Sequence, residues 1–229
     1  MTDVLLAAIR KNQYAFHPVV PFDPSTDRLA PFDLREGGDM PVEVLEDPEA
    51  FMAFPEKLRQ ERKARYLIGG YNELRVMYSR SDLFDAETEP RRLHIGTDIW
   101  APAGNPVYAF WGGMVHSVGW NDRKGDYGAT LILLHQLEGV PFYTLYGHLS
   151  KRDIDGVYAG QYVIRGQEIA HFGEPAENGN WPPHLHFQII RDMELREGDY
   201  PGVVKPGEAA RWLANCPDPD LILQLNKYL

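Results

Sequence analysis

Two short histidine motifs suggest a site that binds a metal ion. His184 and His186 form an H-x-H motif, and His94 and Asp98 form an H-x-x-x-D motif. Residues two apart in a β-strand project from the same face, so an H-x-H strand presents both imidazoles to one space. Two neutral imidazoles on one face suit either a divalent metal or a metal ligand beside a group that transfers protons. Two surface histidines on a strand would give the same pattern.

The H-x-x-x-D motif requires a bend before it can share an ion. Its spacing fits a helix, but Gly96 and the β-branched residues around it disfavour one. In a fully extended segment the Cα atoms of His94 and Asp98 would lie about 13 Å apart. The chain must therefore turn, and Gly96 is the residue that permits it. The alternative is a loop in which Asp98 makes only a turn contact.

Two histidines and one carboxylate together form the ligand set of a tetrahedral zinc site with an open fourth position. The open position distinguishes a catalytic site from a structural one, since zinc can lower the pKa of a bound water to about 7. This chemistry also needs a group that transfers protons, and His148 and His184 are the candidates. The motifs therefore predict hydrolysis by a metal-activated water.

Composition limits the other classes of function. The 229 residues carry a formal net charge of −10, which opposes nucleic-acid binding. The Lys/Arg-rich stretch at 57–65 is interleaved with glutamate and is typical of a solvated helix face. Cys216 is the only cysteine, so a disulfide within the chain and a thiolate cluster are both excluded. No stretch approaches the roughly 20 apolar residues of a membrane span.

Three zones follow one another along the chain. Residues 1–65 form an N-terminal extension, with helices expected at 3–13 and 48–65, a connector at 18–41, and a kink or break at Pro55. Residues 66–195 contain short apolar runs separated by turns rich in glycine and asparagine, which predicts a mainly β, sandwich or barrel-like domain. Residues 196–229 form a C-terminal extension with helices expected near 208–215 and 218–225.

The N-terminal sequence is the basis for predicting the cellular location of the protein. The apolar run at 4–9 is shorter than the core of a secretory signal, and Asp3 rather than a basic residue precedes it. We therefore expect a cytoplasmic protein that does not bind membranes, or a periplasmic or secreted one if a signal was removed.

The sequence also resembles the lysostaphin/LytM-like zinc endopeptidases. The resemblance covers about residues 94–189 and rests on four stretches in the expected order: HIGTDIWAPAGNPVYA from 94, YGHLS from 146, GQYVIRGQ from 160 and PHLHF from 183. Further stretches at 69–75 and 216–219 resemble a sub-branch that also occurs fused to kinase-like and aminotransferase-like domains.

This resemblance implies roles for five residues. His94, Asp98 and His186 would hold one zinc ion per chain, and His148 and His184 would lie beside the attacking water. It also implies a groove-bearing antiparallel β fold and a peptide or amide substrate, either a peptidoglycan stem peptide or a small soluble peptide. The oligomeric state is not predicted.

Two departures from the family pattern affect the expected substrate. Residues 178–183 read NGNWPP where the family has a turn of small residues, and Gln188 stands where glutamate is common. Trp181 and the prolines should narrow the groove, which favours a soluble peptide over intact cell wall. Arg75 is expected either to bind a substrate carboxylate or to form a surface salt bridge. A non-catalytic binding module and a cytosolic amidase for small amides are the alternative functions.

Overall fold

One large sheet holds most of the strands and positions the histidine motifs. The computed structural model describes residues 3–80, 84 and 89–229. Strands in that part of the chain, numbered in chain order, are β1 (Leu29–Phe32), β2 (Tyr66–Gly69), β3 (Glu73–Leu74), β4 (Leu93–His94), β5 (Thr97–Trp100), β6 (Pro106–Tyr108), β7 (Gly113–Asn121), β8 (Gly128–Leu137), β9 (Val140–Leu149), β10 (Tyr162–Val163), β11 (Glu168–His171), β12 (His184–Ile190) and β13 (Val203–Val204).

The helices are short and lie mainly near the two ends of the chain. The α-helices are α1 (Val4–Asn12), α2 (Val42–Glu46), α3 (Pro48–Glu61), α4 (Lys151–Ile154), α5 (Ala209–Asn215) and α6 (Asp220–Leu223). Single turns of 3₁₀-helix occur at Gln13–Ala15, Met77–Arg80, Pro206–Glu208 and Asn226–Tyr228. No helix in the described ranges has the length and apolar character needed to cross a membrane.

The large sheet has the strand order β1-β2-β5-β12-β9-β8-β7-β10. Its neighbours pair antiparallel except for β1 and β2, which are parallel. Strand β12 is central, with β5 on one side and β9 on the other, and both of its faces are buried. Two smaller sheets, β11-β6 and β13-β4-β3, flank the large one. The H-x-H motif therefore lies on an interior strand of the large sheet.

Apolar packing holds both faces of the sheet. One buried cluster contains Leu185, Phe187 and Ile189 of β12 together with side chains from β7, β8, β9 and α1. A second cluster joins the N-terminal extension to the sheet through residues such as Phe51 and Trp100. Burial of apolar area at about 25 cal/mol per Å² is the main stabilising contribution here.

The prediction of a mainly β fold with helical extensions is confirmed. The expected connector at 18–41 is wrong in one part, because Leu29–Phe32 forms β1 and pairs with β2. The expected break at Pro55 is also wrong, since α3 continues through it, while the expected kink stays a prediction. Phe51 and Pro55 are both buried on one face of α3, so packing offsets the lost backbone hydrogen bond. The division at 65 and 195 into three regions stays a prediction.

Candidate metal centre and active-site cavity

Strand pairing brings the H-x-H motif next to Asp98. In the register of β12 with β5, His184 lies opposite Trp100 and His186 lies opposite Asp98. Both histidines are 3% exposed and Asp98 is 2% exposed. The alternation of the strand sends Leu185 and Phe187 into the apolar cluster on the other face.

His94 reaches the same place because the chain bends after β4. The two residues of the bend, Ile95 and Gly96, separate β4 in the small sheet from β5 in the large sheet. A Cβ on Gly96 would lie 2.3 Å from Cε1 and 2.5 Å from Nε2 of His186. Any larger residue would displace that imidazole, so glycine is required here for space.

Three side-chain atoms converge at this point. His94 Nε2 lies 3.0 Å from His186 Nδ1 and 3.3 Å from Asp98 Oδ1. His186 Nδ1 lies 3.1 Å from Asp98 Oδ1, which closes a nearly equilateral triangle. The structure therefore brings together all three residues that the motifs predict as metal ligands.

The surrounding hydrogen bonds decide which imidazole nitrogens carry protons. His94 Nδ1 donates to the carbonyl of Gly70 at 2.9 Å, which leaves Nε2 unprotonated in the neutral ring. His186 Nε2 lies 2.9 Å from Gln188 Oε1. The Gln188 amide is oriented by its own nitrogen, which donates to Pro201 O at 3.1 Å. His186 therefore donates through Nε2 and is unprotonated at Nδ1.

Two bare nitrogen lone pairs and a carboxylate oxygen thus face one another at hydrogen-bond distance with no proton between them. Such a set is repulsive unless a cation lies among the three atoms. Tetrahedral zinc, bound at 2.0–2.1 Å, would separate its ligand atoms by about 3.3 Å. Two imidazoles and one carboxylate, with outer hydrogen bonds fixing the rings, fit that ion.

Electrostatics keep these groups in the protonation states that a cation requires. Burial, together with the charge of Arg75, lowers the pKa of His94 to about 4, so the ring is neutral at pH 7. Burial alone would raise the pKa of Asp98. Interactions with His94 and Arg75 outweigh that effect and hold the Asp98 pKa well below its usual value.

Arg75 anchors the remaining oxygen of Asp98. Its Nη1 donates to Asp98 Oδ2 at 2.5 Å, and its Nε donates to Glu73 Oε2 at 2.6 Å. Tyr78 Oη lies 3.1 Å from the same Nη1. Arg75 is only 1% exposed, so the expected surface salt bridge is wrong and its ion pairs are buried, while the expected substrate contact stays a prediction. The two-residue spacing of Glu73 and Arg75 at the short strand β3 was the sequence feature that could have predicted their ion pair.

A β-bulge directs His148 into the same space. Between Tyr146 and Leu149, strand β9 has two residues opposite the single residue Thr130 of β8. His148 also has a left-handed φ of 60°, which is strained for a residue with a side chain. Its Nδ1 donates to the carbonyl of Asn178 at 2.8 Å. The extra residue turns the imidazole of His148 toward the three converging atoms, and bulges beside functional sites commonly redirect a side chain in this way.

His184 and His148 face each other beside the three converging atoms. Their ring centroids are 4.1 Å apart, and His184 stacks on Trp100 with centroids at 4.0 Å. His184 Nδ1 donates to the carbonyl of Pro182 at 2.8 Å. Burial lowers the pKa of His184 to about 4 and that of His148 well below its ordinary value. Both rings are therefore neutral at pH 7, with Nε2 as the unprotonated nitrogen.

A cavity of about 300 Å³ opens onto Asp98, His186 and the two neighbouring histidines. Its buried side, here called the aromatic wall, consists of Tyr78, Phe84, Trp100 and Trp181. Its open side, here called the arginine rim, contains Arg91, Arg123 and Arg196. Neither feature was predicted as a whole, because its members come from segments far apart in the chain.

The other histidines lie outside this cavity. His135 is buried and bonds Gly112 O and Thr144 Oγ1, which is a structural role. His116 contacts Ser117 and Tyr143, and His171 pairs with Asp153.

Comparison with known proteins identifies related sequences. Residues 92–197 match the model of peptidase family M23. An L-Ala–D-Glu endopeptidase of Bacillus subtilis (strain 168) is 35% identical over 115 residues, which are 48% of this chain and 33% of that protein. The peptidoglycan DD-endopeptidase ShyB of Vibrio cholerae is 32% identical over 139 residues, which are 58% of this chain and 30% of that protein.

Among solved structures, the catalytic domain of the antimicrobial peptidase lysostaphin from Staphylococcus simulans is 28% identical, with a TM-score of 0.37. The match covers 52% of this chain and 80% of that one. The chain spans about a third of the length of the two curated relatives.

The ligand triangle predicts the metal content of the protein. Protein purified without chelator should contain about one zinc per chain, and His186→Ala or Asp98→Ala should abolish this, because two donors alone bind zinc weakly. Elemental analysis of the purified variants measures it. His116→Ala, a histidine substitution outside the cavity, is the control and should retain the metal. Full retention of zinc in both ligand variants would contradict the assignment.

Proposed function

We propose that this chain is a zinc-dependent hydrolase of peptide or amide bonds, and the match of residues 92–197 to the model of peptidase family M23 supports this. In this proposal His94, Asp98 and His186 are the metal ligands, and His148 and His184 assist the reaction. The observation that carries the proposal is the convergence of two unprotonated imidazole nitrogens and a carboxylate oxygen within 3.3 Å at the edge of a cavity.

One zinc ion at these ligands would supply a Lewis acid that activates water and polarises the scissile carbonyl. The chain's own groups manage the protons. His148 and His184 are held through Nδ1 by backbone carbonyls, so Nε2 is the atom that accepts a proton and returns it to the leaving amine. Because both rings are neutral at pH 7, both can act as proton acceptors at that pH.

The same fixed rings also orient the reaction. Stacking on Trp100 limits rotation of His184, and the bulge fixes the direction of His148. Preorganised groups of this kind lower the barrier because they need not reorganise as charge develops. All five polar residues are in place, so no observation on the described residues favours a non-catalytic binding module.

The relatives suggest a class of substrate. Their names describe endopeptidases that act on an L-Ala–D-Glu bond and on peptidoglycan. We therefore place the substrate of this chain among peptides of peptidoglycan type, either as stem peptides or as related short peptides.

The aromatic wall favours a short substrate within that class. Trp181 lies with its ring centroid 6.0 Å from that of Phe51 and 6.2 Å from that of Tyr78, and Tyr78 contacts Phe84 at 4.8 Å. Phe51 belongs to α3 and is 5% exposed, so the N-terminal extension supports the wall from behind. A polymer would have to pass this packed surface, whereas a short peptide can enter from the rim. The cytoplasmic location expected from the sequence stays a prediction.

The division of roles predicts different effects for ligands and proton-transfer groups. His148→Ala and His184→Ala should keep most of the zinc but lower kcat by about 10²–10⁴-fold, the usual effect of losing such a group. Elemental analysis and peptide-cleavage kinetics on the same preparations measure both quantities. His116→Ala should change neither. If either variant loses zinc as completely as His186→Ala does, that histidine is a metal ligand and the division is wrong.

The aromatic wall predicts a preference between soluble and polymeric substrates. The zinc-loaded protein should cleave soluble stem peptides and leave purified cross-linked cell walls largely intact, because the wall blocks one side of the cavity. Peptide cleavage is followed by amine release, and wall lysis by loss of turbidity. A wall-lysing peptidase of the same family serves as the positive control. Rapid wall lysis by this protein would refute the preference for short peptides.

A further inference from the structure

The two histidine ligands of the candidate metal centre each donate to a partner on the side away from the three converging atoms. His94 Nδ1 donates to the carbonyl of Gly70 at 2.9 Å, and His186 Nε2 donates to Gln188 Oε1 at 2.9 Å. Gly70 lies in the turn between β2 and β3, whereas Gln188 lies on β12. The two partners are far apart in the chain, yet further hydrogen bonds connect them.

Cys216, the residue after α5, makes the connection. Tyr71, the residue after Gly70, donates through Oη to the carbonyl of Cys216 at 2.6 Å. The amide nitrogen of Gln188 donates to Cys216 Sγ at 3.3 Å. Gly70, Tyr71, Cys216 and Gln188, here called the outer chain, therefore link one ligand histidine to the other.

The Gln188 amide is fixed in one orientation within the outer chain. Its nitrogen carries two protons, and the carbonyl of Pro201 at 3.1 Å and Cys216 Sγ accept them. A reversed amide would set its oxygen against the Pro201 carbonyl, and Gln188 is fully buried, so that repulsion would be costly. The amide oxygen therefore faces His186, which keeps the proton of that ring on Nε2.

The segment that supplies Cys216 is held against the end of β12. The backbone N–H of Arg191 donates to the carbonyl of Asn215 at 2.9 Å, and the N–H of Cys216 donates to the carbonyl of Trp212 at 2.8 Å. Trp212 and Cys216 are buried in an apolar cluster that also contains the residues on both sides of His94. The end of α5 is therefore packed against the segments that carry both ligand histidines.

We propose that the outer chain positions His94 and His186 for metal binding, so that Tyr71 and Gln188 are positioning residues and the end of α5 contributes to the affinity for zinc. The proposal rests on the proposed function, because it takes these histidines as the zinc ligands of the hydrolase. It adds residues that lie outside the histidine motifs. Outer hydrogen-bond partners fix the orientation and tautomer of a ligand histidine, and their loss typically lowers metal affinity about 10–100-fold.

The zinc affinity of full-length variants tests the proposal. Gln188→Met keeps the length of the side chain but removes the acceptor for His186 and the donors of the amide. Tyr71→Phe removes only the hydroxyl that donates to Cys216. Zinc dissociation constants are measured by competition with a chromogenic chelator, and the thermal unfolding of the metal-free protein is measured on the same preparations.

Two matched controls lose the same kinds of bond outside the outer chain. Gln13→Met removes an amide that donates to the carbonyl of Leu221 at 2.7 Å. Tyr66→Phe removes a hydroxyl that donates to the carbonyl of Pro21 at 2.9 Å. Both controls should leave the zinc affinity unchanged, even where the metal-free protein becomes less stable.

Gln188→Met should raise the zinc dissociation constant by about 10–100-fold. Tyr71→Phe should raise it by less, because its hydroxyl acts on the rings only through Cys216 and Gln188. A wild-type zinc affinity in Gln188→Met overturns the inference, as does an affinity of Tyr71→Phe equal to that of Tyr66→Phe. If Gln188→Met does not fold, Tyr71→Phe decides alone.

The tautomer of His186 is a second readout, which a merely structural role would not change. Nitrogen NMR of metal-free protein with isotope-labelled histidine reports it, and the signals of His186 are assigned by their loss in His186→Ala. The wild type should carry the ring proton on Nε2, and Gln188→Met should lose that preference. A proton on Nδ1 in the wild type overturns the inference.

Peptide hydrolysis is measured separately on the zinc-loaded protein. Zinc binding that depends on Gln188 without any cleavage would refute the proposed function and leave the role of the outer chain intact. Cleavage by a wild type whose zinc affinity does not depend on Gln188 would do the opposite. No zinc binding by the wild type would refute both.

Discussion

Mutual repulsion among three buried electron-rich atoms is the constraint on which this site depends. Two imidazole lone pairs and one carboxylate oxygen lie 3.0–3.3 Å apart with no proton to separate them. The folded chain holds the two rings in this arrangement from outside. The carbonyl of Gly70 accepts from His94, and the side-chain oxygen of Gln188 accepts from His186. A cation at the centre would turn the repulsion into attraction, and its binding would then add directly to the stability of the folded state.

Neighbouring strands and side chains hold the three ligand atoms in position. Strand β12 sets His186 against Asp98, and Gly96 leaves room for the imidazole. Arg75 and Glu73 form a buried ion pair beside Asp98, and removing one partner of such a pair typically costs about 3–5 kcal/mol. Because Arg75 bonds Glu73 and Tyr78 as well as Asp98, these two residues are linked to the candidate ligand Asp98. The N-terminal extension is joined to the site through the aromatic wall, where Phe51 packs against Trp181.

Local sequence patterns identified the candidate ligands, whereas their convergence was implied by the combined ligand set and by the family resemblance, because His186 and Asp98 are 88 residues apart. Strand alternation placed His184 and His186 on one face, and Gly96 marked the bend that brings His94 to Asp98. The β fold followed from short apolar runs and turn residues. Each of these features is encoded within a few neighbouring residues, which is why they could be predicted.

Features that depend on distant pairing could not be predicted in this way. The bulge at His148 arises from the register between β8 and β9, and no residue type at 147–148 specifies it. Strand β1 exists because β2 offers it a partner, although its sequence contains Pro31 and reads as a connector. The burial of Arg75 depends on Asp98, 23 residues later. The arginine rim likewise comes from three segments that meet only in the folded chain.

The most direct test of the central claim is X-ray absorption at the zinc edge of the metal-loaded wild-type protein. We expect nitrogen and oxygen ligands at about 2.0–2.2 Å, with the scattering pattern of two imidazoles and no sulfur. Cys216 lies close by, with its Sγ 3.3 Å from the amide nitrogen of Gln188. A sulfur shell near 2.3 Å, or a shell of oxygen atoms without imidazole, would contradict the assignment of His94, Asp98 and His186 as ligands.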